Sequence, residues 1–309
     1  MEKKNKMETM HMQKLVINMS LPLIVSLLVQ SLYNIVDSIF VAKMSEEALT
    51  ATSLAFPVQM LMIAFSVGTS VGVNALLSKT LGARNRERAT KIANTSIMLA
   101  LINGAVFSLT GIFFAQKLAR SFTTVESTAA LCAEYLSICM VFCFGNFIET
   151  MLQRFLQAAG NTVLSMCSLI AGAVTNIMLD PILIFGLLGF PALGIRGAAI
   201  ATVIGQWLGA AVALLLNRFC NREVIVDFRR FCPEKEIIFG IYKVGLPNII
   251  TQAISSVMVT LVNQILMPLS MSAVAFFGVY YKLQNFLFMP MNGLGQAAIP
   301  IVGFNLGAK

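Results

Sequence analysis

Histidine occurs once in this chain, at His11 in a polar N-terminal tail, so the apolar stretches hold no histidine metal site and no Ser/His dyad. The P-loop and HExxH signatures are absent, which removes the usual ATPase and zincin readings. The six cysteines lack metal-ligand spacing. Cys132, Cys139 and Cys143 share one predicted helix, Cys167 falls in another, and Cys220 and Cys232 sit in a polar loop; they read as packing thiols. Charge is scarce as well. Asp, Glu, Lys and Arg make up 12% of the residues while 57% are hydrophobic, against about 25% charged in soluble domains. A soluble domain and an ordinary enzyme are both excluded by this pattern. No cofactor is expected, and any work the chain does must draw on a gradient.

What is present is a series of apolar runs of about 20 residues, continuous rather than alternating, which implies membrane-spanning helices and not a barrel. The reading is an all-α polytopic membrane protein with eight spans, at 17–42, 49–77, 92–116, 129–151, 164–188, 195–217, 238–267 and 273–304. The first run is longer than a signal h-region and lacks a small-residue cleavage site, so it reads as an uncleaved anchor. The net charge of +8 comes from 22 basic residues segregated by loop. The cluster Lys79, Arg84, Arg86, Arg88 and Lys91 and the run Arg218, Arg222, Arg229, Arg230 and Lys235 fall on the same side as the N-terminus; Lys43, Lys117, Arg120 and Arg196 fall opposite. The positive-inside rule then puts both termini in the cytoplasm of a plasma membrane, here a bacterial inner membrane. Because the basic loops alternate with spans instead of building one face, nucleic acid is not an expected partner.

An offset of 225 residues aligns the first two spans with the last two without a gap. Leu21-Pro22 meets Leu246-Pro247, Ile24 meets Ile249, Gln59 meets Gln284, Gly68 meets Gly293, and Leu81-Gly82-Ala83 meets Leu306-Gly307-Ala308. Six spans lie within the offset, so the repeats run parallel, one of the common transporter plans. The expected organisation is a six-helix lobe over 1–217, a cytoplasmic linker over 218–236 and a partial second lobe of two helices over 237–309. A chain that stops directly after a helix reads as truncated.

Only three aspartates occur, and two of them, Asp37 and Asp180, lie inside predicted spans. A carboxylate in hydrocarbon costs about 2.5–3.5 kcal/mol on insertion scales and is usually retained to titrate or to bind a cation. Tyr33 and Asn34 precede Asp37 by about one helical turn, with Gln30 a turn further, so a polar stripe forms there. Asn176 precedes Asp180 by one turn, and Pro181 follows it, which predicts a distorted helix and a freed carbonyl. At 1.5 Å per residue, Asp37, Asp180 and Thr202 come out roughly 9, 12 and 10 Å below the outer ends of their spans, on one level. Burial and a neighbouring carboxylate both favour the protonated form of such groups, which suits proton exchange. Asn and Thr oxygens beside two carboxylates suit a monovalent cation such as Na⁺ instead.

Other positions carry weaker signals. Pro22 can bend the first span or merely kink it. Gly68 and Gly72 read as a packing pair. Glu134 and Glu149 fall near the ends of the fourth span and read as interfacial. Lys282, the one basic residue deep in a span, reads as a substrate contact, a partner for an acid or a snorkelling side chain.

At these residues the chain resembles the MATE (multidrug and toxic compound extrusion) transporters, in particular the branch with an Asp in its first helix. The resemblance rests on the Pro22 to Asp37 spacing, Leu81-Gly-Ala-Arg84, Arg154-Phe-Leu-Gln157 with Gly160-Asn161, Asn176-Ile-Met-Leu-Asp180-Pro181, Ile184-Phe185-Gly186, Gly194, Gly197-Ala198-Ala199 and Ala201-Thr202. It implies a twelve-helix antiporter with two lobes in a V, exporting amphipathic organic cations or drugs in exchange for H⁺ or Na⁺. It further implies an ion site at Tyr33, Asp37, Asn176, Asp180 and Thr202, and a first helix that bends near Pro22 when that site fills. A lipid-linked sugar flippase of the same superfamily is the runner-up, disfavoured by the few charges within the spans. A non-transporting fragment is the third reading.

Overall fold

In a computed structural model, the described residues are 5–123, 125–221, 223–227, 233–266 and 271–309, with part of the side chains between 256 and 286 excluded. The elements are α1 (Lys6–Thr9), α2 (Met12–Met44), α3 (Glu46–Gly82), α4 (Arg86–Phe122), α5 (Glu126–Val141), α6 (Phe144–Ala158), α7 (Thr162–Phe185), α8 (Ile195–Cys220), α9 (Lys235–Leu266) and α10 (Met271–Ala308). No strand occurs among the described residues. Among the described residues seven helices are long and apolar enough to cross a membrane, or eight if the bent pair α5 and α6 counts as one span. The chain is a polytopic all-α membrane protein. Large apolar side chains such as Ile112, Phe113 and Leu32 point outward, as a hydrocarbon solvent requires.

The fourth predicted span differs from expectation: it is broken, with α5 and α6 bent by 46°. The break coincides with two contacts from α4. The Ser108 hydroxyl of α4 donates to the Val141 carbonyl at 3.0 Å, where a side chain inserts at the end of the α5 ladder, and the Cys143 thiol donates to Gly104 O of α4 at 3.4 Å. By contrast, α2 and α7 continue as helices through Pro22 and Pro181. The distortion expected at Pro181 is thus confined to the Ile177 carbonyl, whose ladder donor a proline lacks.

Helix starts follow their caps. Ser45 accepts from Ala48 N at 3.1 Å to open α3, and Asn85 accepts from Arg88 N at 3.0 Å to open α4. The described residues 223–227 before α9 are held by hydrogen bonds. Asn94 and Asp227 exchange two bonds, from Asn94 Nδ2 to Asp227 O at 2.7 Å and from Asp227 N to Asn94 Oδ1 at 3.0 Å. Asn5, just ahead of α1, donates to both Glu223 oxygens at 2.8 Å. Arg222, Arg229, Arg230 and Cys232 lie outside the described residues.

Packing between the first and last helix pairs obeys the sequence repeat. A methyl group on Gly68 of α3 would strike Ile249 of α9, and one on Gly293 of α10 would strike Ile24 of α2. Those two contacts are images of each other under the 225-residue offset. The same holds further along: Gly82 abuts the Phe304 backbone, and Gly307 abuts the Lys79 carbonyl. Each helix pair therefore presents its glycine to its counterpart, a pseudo-two-fold contact in which absent side chains let backbones touch.

Candidate functional site

Small residues bring α7 and α8 together. Gly186 adopts a left-handed φ of 73° and closes α7. The returning chain is stitched by Leu193 N to Leu183 O at 2.9 Å and Gly194 N to Ile184 O at 3.2 Å. Along the pair, a Cβ on Gly172 would lie 2.9 Å from Gly205 O, and one on Gly205 would lie 2.8 Å from Gly172 O. This close approach aligns Asn176 of α7 with Thr202 of α8. Asn176 Nδ2 reaches Thr202 Oγ1 and Asp180 Oδ1, both at 3.4 Å, while the Thr202 hydroxyl donates to Ala198 O at 3.0 Å.

Asp180 is fully buried. Its neighbour is Asp37 of α2, close enough for the two charges to interact, and Asp37 also lies within electrostatic reach of Tyr135 and Cys139 on α5. Tyr33, one turn before Asp37, lies beside Gln30 and within electrostatic reach of Asp37, Asp180 and Glu149. Among the described residues, Asp37 Oδ1, Asp180 Oδ2 and Asn176 Oδ1 are buried without a hydrogen-bond partner, and neither aspartate forms an ion pair. Buried polar atoms are nearly always satisfied, so these three bare acceptors, two on carboxylates and one on Asn176, could take up a proton or a cation. The donor set is all oxygen, which fits a hard ion such as Na⁺. No cluster of three His, Cys, Asp or Glu side chains suited to a metal occurs among the described residues.

In front of this cluster lies a cleft of about 80 Å³, lined by Gln30, Tyr33, Asn146, Glu149, Gln153, Asn176, Thr202 and Gln206, among others. Glu149 is the residue that sequence reasoning misplaced. Expected at the interface, it is tucked inside, where its carboxylate lies over Gly209 of α8 and accepts from Gln153 Nε2 at 3.0 Å. The bend at Phe142–Cys143 and the continuation of α6 to Ala158 account for the error, since nine further helical residues follow Glu149. The available signal was the spacing Asn146, Glu149, Thr150, Gln153, a polar stripe on one helical face.

The remaining candidates separate. Glu134 stands outside the cluster, paired with Arg196 at 2.6 Å. Asn34 is exposed and does not line the cleft with Tyr33. Pro22 is buried on α2, four turns from Asp37, with its carbonyl accepting from Ser26 at 2.8 Å. The Lys282 side chain lies outside the described residues. Residues Gly68-Thr-Ser-Val-Gly72 spell the letters of a hydrolase nucleophile elbow, GxSxG. They lie in mid-helix, with Ser70 donating to Val67 O at 2.8 Å and accepting from Arg154, so they are a packing stretch and not a strand-to-helix turn.

A family match decides the classification. The MatE family covers residues 22–182 and 247–309, the larger part of the chain. The chain belongs to the MatE family. Its two matched segments open at Pro22 and Pro247, the same pair that the internal repeat aligns. Among curated proteins, this MatE chain is 29% identical over 295 residues to the probable multidrug resistance protein YoeA of Bacillus subtilis, covering 93% of the chain and 63% of YoeA. It is 25% identical over 293 residues to the multidrug export protein MepA of Staphylococcus haemolyticus, covering 94% of the chain and 64% of MepA. The chain thus spans just under two thirds of the length of these relatives. Among solved structures, it superposes with a TM-score of 0.91 at 27% identity on a MOP superfamily transporter from Pyrococcus furiosus, covering 99% of this chain and 68% of the other. That transporter is described by a reverse polarity of its binding pocket that suggests a different function.

Proposed function

We propose that the chain carries the ion-coupling part of a secondary antiporter that exports amphipathic organic cations or drugs in exchange for H⁺ or Na⁺. It is a transporter and not an enzyme in this reading. The observation that carries it is a group of three carboxylates, Asp180 buried and Asp37 and Glu149 half-buried, without ion pairs among the described residues and beside a cleft, with side-chain oxygens of Asp37, Asp180 and Asn176 left without donors. A buried anion is costly unless something positive arrives. If two kinds of cation answer the same negative charge, each lowers the affinity of the other, which is the linkage an exchanger needs. The multidrug names of YoeA and MepA support drugs as the cargo. The acidic polarity of this cleft favours cations and disfavours a phosphate-linked lipid sugar.

The roles follow residue by residue. Asp37 and Asp180 hold the coupling ion with the oxygens of Asn176 and Thr202, Tyr33 closes the site, and Pro22 supplies the point at which α2 bends when occupancy changes. The organisation is a six-helix lobe over 1–217, a linker over 218–236 and the opening helices of a second lobe over 237–309. The location is a bacterial inner membrane with a cytoplasmic N-terminus, for which the basic loops argue. The test is efflux of a fluorescent organic cation from proteoliposomes of this chain under imposed pH or Na⁺ gradients. Efflux that follows one gradient and disappears in Asp37→Asn with Asp180→Asn fits the reading; efflux that ignores both gradients or survives the double substitution overturns it.

A further inference from the structure

Glu149 adjoins the ion cluster without joining it. Asp37 and Asp180 lie behind Tyr33, Asn176 and Thr202 and do not line the cleft, whereas Glu149 does. The three acids do not form one metal-binding group among the described residues. The setting of Glu149 is built: its carboxylate fills the hollow left by the missing side chain of Gly209, and it lies near Gly172. Gln153 fixes one oxygen at 3.0 Å. Asn146 Nδ2, on the same cleft wall, is buried without a partner.

Size sets the ligand. A water needs roughly 10–15 Å³ of such space, so a cleft of about 80 Å³ takes a few waters or one small polar head group, and excludes the body of a drug-sized molecule. Its wall offers carboxylate, amide and hydroxyl oxygens, a set that matches a planar or tetrahedral cation with N–H donors.

We infer that Glu149 and its cleft form a head-group subsite for the ammonium or amidinium end of an organic cation, adjoining the coupling-ion site at Asp37 and Asp180 across their shared wall of Tyr33, Asn176 and Thr202, with the apolar body of the substrate left outside. The inference rests on the organic-cation reading of this chain and adds the group that selects the cation. A bulky quaternary phosphonium has no N–H donors and does not fit the cleft, so it gains little from Glu149.

The test uses two probes on the purified chain in detergent: the fluorescent bis-amidine 4′,6-diamidino-2-phenylindole, followed by anisotropy, and radiolabelled tetraphenylphosphonium. Glu149→Gln keeps the shape and the Gln153 contact while removing the charge; Glu149→Asp keeps the charge and draws it back. The expected result is a loss of at least about tenfold in bis-amidine affinity for Glu149→Gln, an intermediate loss for Glu149→Asp, and less than about a threefold change for tetraphenylphosphonium with either. Bis-amidine binding unchanged in Glu149→Gln, or both probes weakened alike, overturns the subsite and leaves the exporter reading standing. Failure of the unsubstituted chain to bind either probe overturns both.

Discussion

Substituting Gly205 by alanine tests how the site is positioned. The new methyl would lie 2.8 Å from the Gly172 carbonyl and 3.1 Å from Asn176 Cβ, and the first of these is backbone that cannot rotate aside. Overpacking of this kind costs about 1–3 kcal/mol, while alanine in a helix gains up to about 1 kcal/mol over glycine. The balance is a loss of about 1 kcal/mol, with α7 pushed off α8. The Asn176 to Thr202 bond, already 3.4 Å, is the first interaction such a shift breaks. Gly295→Ala is the matched control, since nothing lies within 4 Å of a methyl there, so only the helix gain remains and the sign reverses. The assay is unfolding in a detergent titration read by Trp207, the single tryptophan, which packs on Gly145 of α6 beside the affected contact. A Gly205→Ala protein as stable as the parent, or stabilised like Gly295→Ala, would refute the argument that close backbone approach holds these two helices in register.

Arg154 is buried and bonds Ser70 at 3.3 Å, Gln157 at 2.7 Å and Gln296 of α10 at 3.1 Å, so Arg154→Met should lower unfolding stability by about 2–3 kcal/mol, from the acceptors it strands; a neutral result in the same titration would discount this network. Glu223 has its carboxyl pushed up, chiefly by burial, against the Asn5 amide that favours the charged form. The folded state then holds the proton more tightly than the unfolded chain, and stability contributed by Glu223 declines as pH rises from about 4.3 through its raised folded value. Glu223→Gln should therefore gain thermal stability relative to the parent as pH is raised from below about 4.3 toward neutrality, and a constant difference across that whole range would contradict the assignment. Gly68→Ile and Gly293→Ile strike pseudo-equivalent contacts, so their destabilisations should match to within about 1 kcal/mol; a severe effect at one and none at the other would deny the pseudo-two-fold packing.

Helix type, span positions and the repeat were legible because they depend on the length of apolar runs and on residues that no alternative fold explains, such as the paired prolines 22 and 247. The grouping of these polar residues was legible for a similar reason. Asp37, Asp180, Asn176 and Thr202 are expensive where they lie, and spacing put Asn176 and Asp180 on one face before any contact was known. What the sequence could not supply was helix rotation and breakage. Glu149 looked terminal until the bend after Val141 moved it inward, and Asn34 looked aligned with Asp37 but is exposed. A bend that coincides with contacts from another helix leaves no local trace in residues 129–151, and three residues along a helix define a face without saying what that face meets.

The central claim is that the Asp37 and Asp180 cluster binds the coupling ion and, through it, controls the affinity for an organic cation. The most direct measurement is bis-amidine affinity of the purified chain as a function of Na⁺ concentration and, separately, of pH, in the parent and in the Asp37→Asn, Asp180→Asn protein. The account predicts that one of the two ions weakens binding progressively in the parent and that this dependence is lost in the double variant, while binding itself is retained. A dependence of equal steepness in both proteins, or none in the parent, would contradict it.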